Sequence, residues 1–449
     1  MKNVIYLIFF SLLIVEINLN LFLVPSSENN EFDYSTIKSI VTNENVNNSE
    51  YIATESDQSV LYYTEYLVGI WNANIIKTGA SSNLNNSEFY GVNSAILING
   101  GWIDIGETNI TTSSEGSNAV VCTNFGLATL NSSLISTTSD FSRGFLSTFE
   151  GVISGYQIRI ETRGRSSACL ATAKRDGIIY CQHCSMQTSG VGSPIIYSKG
   201  DGGGVVAYNI NGTALNSQIA VIEGKNDINI DDNSFLMASG NGGMNDNCGI
   251  LIYQSQPGDP NITRSFFHSL NSYFQIMPNS SVYSTAPFFF VTNTQTNITL
   301  ENCHFLYGSG VFLKASQNSH WGTIGENGAD VLLNLVNQTI EGDFVVDSNS
   351  ELTINMTNST IKGKINNNRA ASVINIILDS YSKIDLTGNS YYSTIENEDT
   401  TGSNINNGSF SLSYYNDTIK IINDNTNNGL ILNNNFIKLY ILSFLIFIL

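Results

Sequence analysis

A chain of 449 residues with a formal charge of −19, 42% hydrophobic and only 13% charged, is long and apolar enough to bury a core, which excludes intrinsic disorder. The acidic balance excludes nucleic acid, whose phosphates reward a basic surface, and direct docking on an anionic lipid face. Outside the two termini no long run places apolar residues at helical spacing, whereas Asn, Ser, Thr and Gly abound, which suits short strands and tight corners.

In chain order, Lys2 followed by the apolar run Val4–Val15 reads as a secretory signal occupying residues 1–25, with cleavage between Ile17 and Ser27. Residues 26–55 are polar and aperiodic and read as a flexible leader. A first coil is expected near Ser59, through Val60–Tyr63, Tyr66–Ile70 and Ile75-Ile76, followed by a loop at Gly79–Ser87. From Ser94 to Gly240 the chain then repeats itself. Segments beginning at Ala95, Ala119, Gly144, Ala168, Pro194 and Ala220 start 24, 25, 24, 26 and 26 residues apart. Most carry a glycine and a second short strand (Gly101-Trp102-Ile103, Gly126-Leu127, Gly151-Val152-Ile153, Gly177-Ile178-Ile179, Gly204-Val205-Val206), then a third, as in Leu134-Ile135 and Ile158-Arg159-Ile160. Three short strands recurring at about 25 residues predict one coil of a parallel β-solenoid. One coil cannot bury its own apolar face, so the coils must stack. The period loosens after Gly240, with turns inserted at Gln256–Pro260 and Pro278–Pro287, but strands continue. The expectation is an all-β, single-stranded parallel β-helix over residues 56–420, with about 14 coils at about 4.8 Å each.

Residues 421–435 read as a polar spacer, and 436–449 as an apolar C-terminal tail shorter than the roughly 18–20 residues of a spanning helix. That order is the attachment signal of a glycosylphosphatidylinositol (GPI) anchor, with Asn427, Asn428 and Gly429 as candidate attachment residues; a short membrane span is the alternative. Either places the body outside a membrane, and the anchor implies a eukaryotic cell. Asn-x-Ser/Thr sequons number thirteen, about what the composition gives by chance; candidates for glycosylation include Asn109, Asn131, Asn211, Asn261, Asn297, Asn337 and Asn355.

Signs of chemistry are sparse. Asp231-Asp232 is the one adjacent acidic pair of the array, and neighbouring strand residues point to opposite faces, so the two make a poor catalytic pair. Trp102-Ile103-Asp104-Ile105 is similar to a pectate-lyase motif but has Ile105 where that motif has histidine, and reads as strand packing. Arg143, Arg159, Arg163, Arg165 and Arg175 are unusually close in sequence and form a candidate patch for an acidic polysaccharide, set against ordinary charge balancing on a solvated face. Cys181 and Cys184 are spaced for a local disulfide in an oxidising exterior; they lack the further ligands of a zinc site, and Cys122 and Cys169 read as small buried apolar residues. Tyr62, Tyr63, Tyr66, Tyr90, Tyr180, Tyr197, Tyr208 and Tyr253 read equally as a sugar-stacking surface or as ordinary strand residues. No cofactor or metal is implied.

Several stretches, among them Phe89–Ala95, Gly192–Ser198, Val221–Asn226, Ile252–Ser255, Phe290–Thr294, Trp321–Ser348 and Leu386–Ser390, resemble adhesin-like right-handed parallel β-helix surface proteins of bacteria. The resemblance covers about Ser59 to Asn397. It implies that handedness, a cell-surface role and no catalytic residues; the eukaryotic-type anchor signal departs from it. The functional expectation is a GPI-anchored, non-catalytic surface protein binding a glycan or another surface, with a membrane reached through its lipid. The alternatives are a polysaccharide lyase or glycoside hydrolase of the pectin-lyase-like fold, and a structural coat protein.

Overall fold

The computed structural model of the protein describes residues 32–243, 246–255 and 264–415. Among these residues the chain winds through three long parallel sheets of twelve, fourteen and ten strands, each full coil giving one strand to each. One coil runs from Phe145–Thr148 in the first sheet through Val152–Tyr156 in the second to Arg159–Thr162 in the third. This is a parallel β-helix, and the fourteen strands of the second sheet match the expected number of coils.

Stacking follows from what each strand turns inward. In the second sheet Ile103, Ala128, Ile153, Ile179, Val205, Ile228, Phe267, Ile298, Leu333, Ile354 and Ile376 lie in one register column, and all are buried. Each large member contributes about 1.5–3 kcal/mol by leaving water, so cohesion accumulates coil by coil. After Ala329 the coils shorten: Leu332 pairs with Thr353, and Thr353 with Asn375, steps of 21 and 22 residues. There the third sheet gives way to a separate four-stranded one that begins at Thr339–Glu341. Gln338 spans the break, its side chain accepting from the Cys303 amide at 2.7 Å and donating to the Cys303 carbonyl at 2.7 Å.

Corners are built from repeated small devices. Between second and third strands most coils place a residue in the left-handed conformation, among them Asn72, Glu107, Ser132, Gln157, His183, Asn209, Asn271, Asn302, Asn337 and Asn358. Asparagine tolerates that conformation and bonds its neighbour along the stack, as Asn302 does to Asn271 at 2.7 Å and Asn358 to Asn337 at 2.8 Å. Between third and first strands the hydroxyls of Ser142, Ser167 and Ser193 accept the amides of Ser117, Ser142 and Ser167 at 2.9–3.0 Å, replacing ladder bonds that the turn interrupts. The glycines expected to make the corner after the first strand act otherwise. Gly126 has an ordinary φ; a side chain there would meet the Ile98 carbonyl oxygen at 2.6 Å, while Asn124 and Phe125 take the left-handed turn.

The structure corrects three expectations. The supposed leader supplies a complete coil: Lys38–Thr42, Val46–Asn47 and Glu50–Ala53 pair with Gln58–Tyr63, Tyr66–Trp71 and Asn74–Lys77. Val41, Val46 and Ala53 are its buried core residues, with Tyr51 packed against them, so its composition reads as polar. The loop expected at Gly79–Ser87 runs into a helix, Leu84–Tyr90, capped by the Asn83 side chain and ended by Gly91 at φ +73°. The coil starts shift by one residue: Cys169, Ile195 and Ile219, not Ala168, Pro194 and Ala220, share the register of Ala95, Ala119 and Gly144. Such a slip exchanges inward and outward faces, which puts Cys169 in the core.

Candidate functional site

The three sheets present different outer faces. On the first, the outward column Leu97, Val121, Leu146 and Ala171 is apolar and covered by the N-terminal segment and the helix, through Tyr34 with Phe32, Ile37, Phe89 and Tyr90. The Tyr34 hydroxyl donates to the Tyr90 carbonyl at 3.1 Å, and the Phe32 and Tyr90 rings stack at 5.1 Å. The helix also carries Glu88 onto Arg143 at 3.3 Å and Lys199 at 3.4 Å. Burial pushes the Glu88 carboxyl up, but Arg143, Lys199 and Lys174 together outweigh it and hold the group below its ordinary value. Further along, Glu223 accepts from Tyr197, from Tyr253 at 2.9 Å and from Ser255. Trp321 lies on Tyr253 at 4.7 Å and donates to Asp246 at 3.0 Å, closing a second cover.

On the second sheet the outward polar groups bond one another along the stack. Thr129 donates to Asp104, Asn334 to Thr299 at 3.2 Å, and Asn355 to Asn334 at 2.9 Å. Ile103 and Ile105 are buried, so the Trp102–Ile105 stretch is strand packing in fact. Asp231 faces outward beside His268 at 3.6 Å and accepts the Leu270 amide at 2.9 Å, while burial pushes its carboxyl up; Asp232 turns into the corner at φ 56°. The two aspartates form no facing pair.

The third sheet is open. Register places Arg159, Ser185, Asn211, Phe235 and Tyr273 in one outward column, with Glu161, Gln187, Thr213, Met237 and Gln275 beside it. Ser185, Gln187, Asn211 and Thr213 line a shallow depression of about 140 Å³, with Arg159 and Glu161 at one end and Phe235 at the other. That volume is well below the roughly 300–1,000 Å³ of an enclosed small-molecule site and fits a surface groove. From the Arg159 rung to the Phe235 rung is three strand spacings, about 14 Å. Phe235 and Tyr273 stack with centroids 4.8 Å apart and planes 6° from parallel, making a flat platform. None of the four lining side chains of Ser185, Gln187, Asn211 and Thr213 makes a hydrogen bond to another described residue. Their donors and acceptors stand unspent, whereas on the second sheet Thr129, Asn334 and Asn355 bond their neighbours along the stack.

The five arginines of the expected patch divide. Arg159 and Arg163 share Glu161, and Arg165 on the same coil lies 3.6 Å from Asp140 with its guanidinium over the Phe141 ring; of these three, Arg159 lines the depression. The hydrogen bond from Arg159 holds the Glu161 carboxyl below its ordinary value. Arg143 is instead buried under the helix, and Arg175 pairs with Glu150 at 2.7 Å at another corner, so neither joins the others. The expected five-residue patch is a three-residue group with its own carboxylates, because sequence proximity does not distinguish faces of a coil. The tyrosines scatter likewise: Tyr63 and Tyr253 are buried, Tyr66 is exposed, and Tyr197 bonds Glu223. Cys181 and Cys184 are joined by a disulfide within the core, with Cα atoms 6.2 Å apart, and Cys122 and Cys169 are buried thiols.

Of the sequons, Asn109, Asn211 and Asn337 are exposed and Asn131 half-exposed; Asn297 accepts from Arg264 at 3.1 Å, and Asn355 bonds Asn334. Asn261, the anchor candidates Asn427, Asn428 and Gly429, and the signal segment lie outside the described residues. Sequence reasoning found Arg159 and Asn211 but missed Ser185, Gln187, Thr213, Phe235 and Tyr273 as a group. Aligning the third strands rather than the first would have put them in one column.

No protein-family model matches this chain, and no curated protein does either.

Proposed function

We propose that the protein is a secreted, GPI-anchored surface protein of adhesin-like type that binds glycans through the outer face of its third sheet, without catalysis. The observation that supports this most is the depression itself: four neutral polar side chains with unspent hydrogen-bonding groups beside a flat aromatic pair. A pyranose offers that combination of partners, hydroxyls for the amides and an apolar C–H face for the ring. Arg159, Arg163 and Arg165 add guanidinium forks for acidic sugars. Each contact is weak, and an anchored array of such faces gains strength by multivalency. A glycan array probed with ectodomain made without N-glycans tests this reading. Saturable binding that Phe235→Ala weakens at least tenfold is expected, and uniform absence of binding contradicts it. Release of the protein from intact cells by a phospholipase specific for the anchor tests the attachment.

One observation favours an enzyme as the second reading. Glu88 and Glu223 both approach Lys199, at 3.4 and 3.8 Å, which brings two carboxylates from distant parts of the chain onto one amine. Glu223 is nearly buried under its tyrosines, however, and its oxygens are already engaged. Cleavage of any bound polysaccharide that is lost in Glu223→Gln would favour this reading over the first.

A further inference from the structure

The strand that floors the depression is itself a glycosylation sequon, Asn211-Gly212-Thr213. Its alternation places the acceptor asparagine and the threonine on the outward face and Gly212 on the inward one. The central position has little freedom, since a side chain there would meet Ile195 at 2.8 Å. Asn211 pairs in register with Phe235, the first ring of the aromatic platform. The other sequons of the coils differ. Asn109 stands in the same outward column but between Asn74 and Leu134, with no ring beside it. Asn297 and Asn355 have their side chains tied to Arg264 and Asn334, and Asn337 accepts from Asn358.

We propose that Asn211 carries an N-linked glycan whose first N-acetylglucosamine lies on Phe235 and fills the depression, so that the protein's own glycan and an external one compete for a single seat. The inference rests on the reading above, that the chain is secreted and that this face accepts sugars. In the transfer, Asn211 Nδ2 forms a bond to C1 of the sugar. The bond from C1 to the pyrophosphate of a lipid-linked oligosaccharide donor breaks, and the amide proton leaves with the released pyrophosphate. Seating follows folding: the apolar face of the ring covers Phe235, and its substituents meet the side chains of Ser185 and Gln187 one rung away.

The full chain secreted from a eukaryotic cell provides the test, by glycopeptide mass spectrometry and timed endoglycosidase digestion of the folded protein. Asn211 should be occupied, and its glycan should be released at least tenfold more slowly than that on Asn109. Phe235→Ala should bring the two rates together. Wild-type protein made without N-glycans, which keeps every side chain of the depression, should bind array glycans at least fivefold better than the glycosylated wild type, whereas Asn109→Gln should bind no better and Thr213→Ser, which keeps both sequon and hydroxyl, should behave as the wild type. An unoccupied Asn211 beside an occupied Asn109, or equal release rates in the wild type, overturns the proposal. If no sequon is occupied, the secretion reading falls and the proposal with it. A slow-released Asn211 glycan with no array binding by any variant keeps the seat but overturns the competition and the adhesin reading together.

Discussion

The outer faces of the first and third sheets are made by the same coils, yet one is covered and the other bare. On the first, Leu97, Val121 and Leu146 turn apolar groups outward, and the chain spends its N-terminal segment, a helix and the Trp321 loop to cover that face. On the third, the outward groups are Ser185, Gln187, Asn211 and Thr213, and no described segment crosses them. A solenoid whose inward positions are all spoken for has only its outer faces to vary. The first has been turned into a second core, and the third remains open.

Substitutions should separate the two faces sharply. Leu146→Ala, on the covered face, should cost about 2–4 kcal/mol in denaturant unfolding, the range for emptying a buried leucine. A loss below about 1 kcal/mol would mean the cover is loose. Next in size is Lys77, which ends a third-sheet strand where the chain turns towards the covering helix. Its ammonium is buried and donates to the Glu55 and Gly79 carbonyls at 2.8 and 2.6 Å, and desolvation pushes it down to about 8 from 10.5, opposed by Asp57. Between those values the unfolded chain holds a proton that the folded chain has released, so stability rises with pH across that window. The wild type should gain up to about 3 kcal/mol there relative to Lys77→Met. Parallel pH profiles for the two would contradict the burial.

Smaller again, Ser167→Ala leaves the Ser142 amide without its acceptor inside the corner and should cost about 1–2 kcal/mol. On the open face the same measurement should barely respond. Arg159→Leu removes an exposed pair with Glu161 and should stay within about 1 kcal/mol of the wild type.

Much of this fold is legible in the residues, and the reasons it is not fully so are physical. The period shows because inward positions demand apolar groups and corners such as Gly126 cannot accept a side chain. The first coil escapes because a few inward residues, Val41, Val46 and Ala53 with Tyr51 against them, suffice when each strand is hydrogen-bonded to its neighbour. The helix escapes because seven residues carry too little periodicity, and its place is fixed by what it covers. The site was legible only in part: Arg143 and Arg159 look alike in sequence, and only the coil decides that one meets Glu88 beneath a helix and the other meets solvent. Phe235 and Tyr273 are 38 positions apart in the chain and adjacent in space because the coil between them is long.

The most direct measurement is the affinity of unglycosylated ectodomain for its best array glycan, in the wild type, in Phe235→Ala with Gln187→Ala, and in Leu146→Ala at a temperature where all are folded. Binding should fall at least tenfold in the third-sheet pair and stay unchanged in the first-sheet variant. Wild-type affinity in the third-sheet pair, or loss of binding in the first-sheet variant alone, would contradict the placement of recognition on the open face.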